Sequence, residues 1–336
     1  MSASDNNGGG KKKVIVIRLA AFGDAIIVTP LFKLLKRDGY HVTFHTSKWG
    51  MEVTKHNPYI DRWSLHDASI PPDERLAEYF TKLSEGYDKT INLCESIEGT
   101  LAKVPWREDF KQSKEILHEQ CNKNFYDYTL ELAGYPDKGL NGELYFSRIE
   151  ECLAAEIRRK YRGKFLILWS LSGSSLHKSY PYSEYVAKGL LEKYDDIQII
   201  TVGDSICGMI EWTHPRTKNY SGVWNIRKSL IMAKYADCVV GPDTGLLHAA
   251  GCYDVPKVLL LSSNTEENLS KYWKNCTNLT PSVDCHPCHK LHYDMKHCPK
   301  DEIIGTPICM SKLKAKDVFE AIEKIYLKQR HERKVA

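Results

Sequence analysis

The stretch Val14-Ile15-Val16-Ile17-Arg18-Leu19-Ala20-Ala21-Phe22-Gly23-Asp24 decides the fold. Its first four residues are all β-branched, with no polar position among them. A strand of that composition is buried on both faces, as strands of parallel sheets are. A loop follows, and residues 25–36 read as a helix with Ile26, Ile27, Leu31, Leu34 and Leu35 on one side. Pro30 falls in its first turns, where proline is tolerated. Further strands read at residues 41–46 and at KTINLC, residues 89–94, with a helical stretch around 75–85. Alternating strands and helices mean an α/β fold with a mainly parallel sheet.

A second cycle starts at FLILW, residues 165–169. Helices read at 182–194 and 229–235, and strands at 197–202, 238–241 and 258–261. The chain of 336 residues is long enough for about two domains. We draw them at 13–155 and 156–312, joined by the charged helix 150–162, after a disordered lead at 1–12. The end of the chain, 313–336, reads as an amphipathic helix with Val318, Ile322, Ile325 and Tyr326 at helical spacing. It either packs on the body or lies on a membrane surface through its lysine-rich face.

Apolar residues make up 42% and charged residues 27%, which excludes a disordered chain and a membrane protein. The net charge of +4 does not require a nucleic-acid partner and does not exclude one. The apolar stretch 14–29 is interrupted by Arg18 and Asp24, short of the ~20 apolar residues of a membrane helix. The start, MSASDNNGGGKKK, has no apolar region before a small-residue cleavage site, so no signal peptide is read. The expected location is the cytoplasm, with the inner face of the membrane as an alternative, and most of the eleven cysteines are expected as packed thiols.

Three loops that follow strands carry the chemistry, where open α/β sheets place their ligands. In the first, Gly23 permits close backbone approach and Asp24 is either a helix cap or a general base. In the second, Ser172-Gly173-Ser174-Ser175-Leu176-His177-Lys178 offers backbone N–H groups, hydroxyls and a cation, a set suited to a diphosphate. It lacks the spacing of a Walker A loop, and a plain serine- and glycine-rich loop is the competing reading. In the third, Gly241-Pro242-Asp243-Thr244-Gly245 leads into a helix whose first N–H groups suit an anion, with His248 one turn further on.

Together the three loops resemble the glycosyltransferase family of the ADP-heptose:lipopolysaccharide heptosyltransferases, glycosyltransferase family 9. The matching pieces are residues 17–30 (I-R-x-x-x-x-G-D-x-x-x-x-x-P), Lys178-Ser179-Tyr180-Pro181, and residues 243–250 (D-[ST]-G-x-x-H-x-A-A, with Gly251 for the last alanine). The resemblance covers most of the chain. It implies the GT-B fold, two Rossmann-like domains facing a central cleft, and metal-independent inverting transfer of a heptose-like sugar. The donor would be a nucleotide-diphosphate sugar, ADP-heptose in this family, on the C-terminal half, with the acceptor on the N-terminal half. Asp24 matches the family's base, and Lys178, Thr244 and Gly245 would stabilise the leaving diphosphate. Gly23, Ser172, Gly173, Ser174, Asp243 and His248 complete the expected donor site. Gly203 and Asp204 join it because the family often holds the ribose with an acidic residue after a middle-strand glycine; Glu211 is the other acidic choice.

The loop Asn92-Leu93-Cys94-Glu95-Ser96-Ile97-Glu98-Gly99 ends a strand and should face the cleft. Glu95 and Glu98, with Arg18, are therefore the expected acceptor ligands, and the two glutamates are second choices for the base. The basic, aromatic stretch 103–114 either tracks an anionic acceptor or is a solvated loop. The acceptor itself could be lipopolysaccharide core, a protein hydroxyl or a hydroxymethylated DNA base.

Cys285-His286-Pro287-Cys288, followed by Cys298 and Cys309, can close a tetrahedral structural site for zinc or iron; isolated thiols are the alternative. His286, His289, His292 and His297 are spare ligands. The cluster resembles the four-cysteine iron finger of the autotransporter-protein heptosyltransferases, which implies a structural metal; a homo-oligomer is a further expectation. A full thiolate shell leaves no open position, so no catalytic metal is expected. Three other functions compete: a non-catalytic sugar-nucleotide-binding scaffold on the same fold, a nicotinamide oxidoreductase, and a nucleic-acid module. No G-x-G-x-x-G follows any strand, which argues against the oxidoreductase.

Overall fold

The computed structural model describes residues 11–19, 21–66, 75–173, 178–291 and 296–335. Most of the expected lead, together with Ser174 and His292, lies outside the described residues.

Residues 14–17 form the body of β1 (Lys13–Arg18), buried from Val14 onward. With β2 (His41–Thr46), β3 (Arg62–Leu65) and β4 (Lys89–Asn92) it makes a parallel sheet in the order β3-β2-β1-β4. Val16 lies opposite Phe44 on one side and Ile91 on the other, so the β-branched run is the middle of the sheet.

A second parallel sheet follows. It comprises β5 (Phe165–Ser170), β6 (Ile197–Val202), β7 (Thr217–Asn219), β8 (Cys238–Pro242), β9 (Lys257–Leu260) and β10 (Cys276–Leu279), in the order β10-β9-β8-β5-β6-β7. Strands β3, β7 and β10 are absent from the sequence reading. All three are edge strands of three or four residues that are partly exposed, so they carry no apolar run.

The first helix differs from its expectation. Residues 22–27 and 29–37 are two helices with Val28 between them, and Asp24 lies inside the first turn. Pro30 has no N–H for the carbonyl of Ile26. That carbonyl accepts instead from Thr29 Oγ1 at 2.7 Å.

The two halves meet in one shared apolar cluster, and each has a further core of its own. Ala25, Ile26, Ile27 and Val53 from the first half pack in the same cluster as Leu246, Leu247, Ala249 and Ala250 from the second. Arg227, 5% exposed, ties the halves further. It donates to Glu150 Oε1 at 2.6 Å and Oε2 at 2.8 Å, and to the carbonyls of Glu52, Val53, Lys55 and Tyr145 at 2.9–3.3 Å. Glu150 also closes a capping box with Ser147 at the start of the linking helix, Arg148–Lys160.

The closing helix, Ala315–Val335, packs on the body. Val318, Ile322 and Tyr326 are buried, and the Tyr326 hydroxyl donates to Asp196 at 2.7 Å. Among the described residues no helix is long and apolar enough to cross a membrane.

Candidate active site

Arg18 ends β1 and is 2% exposed. Its guanidinium is shared by two carboxylates. Nη2 donates to Asp24 Oδ1 at 2.5 Å and to Glu98 Oε1 at 3.1 Å, while Nη1 lies 3.0 Å from Glu98 Oε2 and donates to the Leu93 carbonyl at 2.8 Å. Burial alone would lower the Arg18 pKa; the two anions outweigh it and hold the group charged. Burial, and then the charge of Asp24, push the Glu98 carboxyl upward against the pull of Arg18.

Glu95 does not join them. It sits at positive φ and accepts from Arg107 at 2.6 Å on the surface. The backbone turn that buries Glu98 sends Glu95 outward, a separation the spacing of the two residues does not reveal.

Lys178 and Asp243 form a second buried pair. Lys178 Nζ donates to Asp243 Oδ2 at 2.8 Å and to the Asp243 carbonyl at 3.0 Å. His248 Nε2 lies 3.2 Å from Asp243 Oδ1, and its Nδ1 lies 3.5 Å from the Tyr126 hydroxyl. Burial would raise the Asp243 carboxyl; Lys178 and His248 hold it far below the usual range. Gly173 lies directly on this pair: a Cβ there would stand 2.9 Å from Lys178 Cδ and 3.2 Å from the Asp243 carbonyl. Ser172 bonds Ser179 at 2.7 Å within the same loop.

The helix Gly245–Gly251 begins beside Asp243, so its first N–H groups have no intrahelical acceptor. Thr244 Oγ1 is buried with no partner among the described residues.

The two clusters meet across the halves. A Cβ on Gly23 would lie 3.0 Å from His248 Cδ2, and one on Gly245 would lie 2.8 Å from Phe22 Cβ. Only glycines allow the first and third loops to touch here. Tyr126 and Phe22 are contributors that sequence reasoning missed; a lone aromatic residue on a helix carries no spacing signal.

Gly203 and Asp204 adjoin the second loop through Cys207, whose Sγ lies 3.8 Å from the Ser172 carbonyl. Asp204 caps the short helix Ser205–Gly208 by accepting from the Cys207 N–H at 2.9 Å, and Gly203 packs on Cys207. Glu211 accepts from Thr201 at 2.5 Å and from the Ser221 N–H at 3.1 Å. Each acidic choice for the ribose thus already has a structural hydrogen bond.

The stretch 103–114 docks on the cysteine segment. The Lys103 N–H donates to the His289 carbonyl at 2.7 Å, Lys114 donates to the Asp284 carbonyl at 2.7 Å, and Lys290 lies over the Phe110 ring. Trp106, Arg107, Glu108, Lys111 and Ser113 of the same stretch remain exposed.

Burial first, and then the neighbouring Cys298, Cys288 and Cys285, raise the Cys309 thiol to about 12. The four thiols therefore lie within electrostatic reach of one another. As placed, no group of three or more His, Cys, Asp or Glu side chains among the described residues is arranged to hold a metal ion.

No protein-family model matches the chain, and no curated protein matches it by sequence. Solved structures do match. A glycosyl transferase of family 9 from Veillonella parvula aligns over 94% of this chain and 98% of its own, at 17% identity and a TM-score of 0.64. The ADP-heptose lps heptosyltransferase II of E. coli aligns over 95% and 99%, at 14% identity and 0.64. The iron-containing dodecameric glycosyltransferase TibC from enterotoxigenic E. coli aligns over 95% and 77%, at 12% identity and 0.61, and has also been solved with ADP-D-beta-D-heptose. The likeness is one of fold: two Rossmann-like sheets in the GT-B arrangement, as the motifs imply.

Proposed function

We propose that this protein is an inverting glycosyltransferase. It moves a heptose-like sugar from a nucleotide-diphosphate donor, ADP-heptose in the first instance, to a hydroxyl on a protein or a lipopolysaccharide core. The observation that carries the reading is the meeting of Asp24, Lys178, Asp243 and His248, drawn from both sheets, around the contact of Gly23 with His248. The fold shared with family 9 glycosyltransferases supports it.

Asp24 takes the proton of the acceptor hydroxyl. That oxygen forms its bond to the anomeric carbon while the bond from this carbon to the diphosphate breaks, and the diphosphate leaves with the electron pair. Arg18 orients Asp24, and Glu98 shares the guanidinium. Lys178, the amides at Thr244 and Gly245, and the unpartnered Thr244 hydroxyl receive the developing charge. Lys178 faces Asp243 in this structure, so donor binding has to draw part of its charge away from that carboxylate.

We assign the acceptor to the N-terminal half, the donor to the C-terminal half, and the reaction to the cytoplasm. Cys285, Cys288, Cys298 and Cys309 are proposed as a structural zinc or iron site that takes no part in transfer. The iron-containing TibC, a structure of the same fold, supports this. A homo-oligomer goes with the same reading, TibC being dodecameric.

The test is a thermal-shift panel of ADP, UDP, GDP and CMP with their sugar conjugates. A shift with ADP that grows with ADP-heptose is expected. No shift with any nucleotide would overturn the reading.

A further inference from the structure

A surface cavity of about 600 Å³ lies between the linking helix Arg148–Lys160 and the closing helix Ala315–Val335. It is lined by Arg158, Arg159, Arg162, Gly163, Tyr235 and Arg333, together with Ala155. Four of these seven residues are arginine, and none is acidic. The neighbouring lysines Lys160 and Lys164 are not among the lining residues, so the wall selects planar guanidinium forks over ammonium groups.

The two outer arginines are held in place. Arg158 donates to Asp237 Oδ2 at 2.9 Å, and Arg333 to Asp237 Oδ1 at 2.5 Å. Arg158 also donates to the carbonyls of Tyr161 and Lys164, which accounts for the cation that a helix C-terminus attracts. Arg159 and Arg162 have no such employment. Both are exposed, and neither has a side-chain hydrogen bond or ion pair among the described residues. Asp237 thus pairs with two of the four guanidiniums, Glu151 accepts from the Tyr235 hydroxyl, and the other two guanidiniums have no carboxylate partner among the described residues. Gly163 leaves open space beside them, since a Cβ there would meet nothing.

Asp237 accepts from the N–H of Leu166, so the cavity sits at the amino ends of β5 and β8. The candidate active site lies at their carboxyl ends, roughly 15 Å away along the strands.

We propose that this cavity is a second anion site that takes a phosphate-bearing ligand. Fork-shaped donors of fixed geometry match phosphate oxygens two at a time, and the volume is that of a small-ligand site. The phosphate is either that of a soluble ester or that of a lipid headgroup, and the two sources are separable by experiment.

The variant Arg159→Gln with Arg162→Gln alters only exposed side chains, and an unchanged melting temperature and nucleotide response would verify that its fold and active site are intact. Titration calorimetry with inorganic pyrophosphate should show a site in the wild type that the double variant weakens about tenfold or more. Vesicles of phosphatidylglycerol and phosphatidylcholine in equal parts, against phosphatidylcholine alone, form the second arm. Loss of pyrophosphate binding with vesicle binding absent in both proteins assigns a soluble phosphate. Loss of vesicle binding in the variant assigns a headgroup. Equal behaviour of the two proteins toward both probes overturns the proposal.

Discussion

Gly23 and His248 are in contact across the two halves: a methyl group on Gly23 would stand 3.0 Å from Cδ2 and 3.3 Å from Nε2 of the imidazole. The same Nε2 faces Asp243, so the contact links the base-bearing loop to the Lys178 pair. Gly23→Ala forces the ring aside by a few tenths of an ångström, and Gly23→Val forces it further. Turnover should fall in that order, with a stability loss of about 1–3 kcal/mol for valine, as overpacking costs. Urea denaturation and steady-state rates check both; a fully active valine variant would show that the contact is not needed.

Asp24→Asn keeps the shape and removes the proton acceptor. Transfer should drop about 100-fold or more, the scale of general-base catalysis, while the thermal shift with ADP persists. Unchanged turnover would move the base to Glu98, which shares the same guanidinium.

Lys178→Ala leaves Asp243 buried without its cation, which costs about 3–5 kcal/mol in comparable pairs. Donor binding and turnover should both weaken. Adding Asp243→Asn should restore part of the stability but none of the turnover, because the diphosphate still lacks its cation. Recovery of turnover in the double variant would contradict the role given to Lys178.

Arg227 and Glu150 make a pH-dependent clamp between the halves. Against the effect of burial, Arg227 and Ser147 hold the Glu150 carboxyl down at about 2, from an ordinary 4.5. A depressed carboxyl contributes stability that is complete above its unfolded value and is lost as pH falls toward the folded one. The wild type should therefore lose this contribution between pH 4.5 and about 2. Arg227→Met should be less stable at neutral pH and show a flatter acid slope in that window. An acid-unfolding curve parallel to that of the wild type would exclude the clamp.

Cys309→Ser should lower metal content and melting temperature together, from about one zinc or iron per chain. Elemental analysis beside a thermal melt reads both. A wild type that purifies without metal and is unmoved by a chelator would leave four packed thiols instead.

The central strands were legible because their residues carry the signal themselves. Residues 14–17 and 165–169 are apolar without interruption, as a strand buried on both faces requires, and 197–202 are apolar but for Gln198 and Thr201; they form β1, β5 and β6. The edge strands β3, β7 and β10 were not legible, since an edge buries little and needs no apolar run.

The candidate site divides in the same way. Asp24, Lys178, Asp243 and His248 stand in local motifs, where a glycine, a strand end and a helix start follow one another in the chain. Sequence by itself therefore determined which residue types stand at the strand ends and that the sheets are parallel. Only the tertiary structure decided that Glu98 and not Glu95 shares Arg18, that Asp204 caps a helix, that residues 103–114 dock on the cysteine segment, and that Gly23 meets His248. Each of these depends on which surfaces remain buried once the two halves have packed together. Local spacing carries no record of that packing.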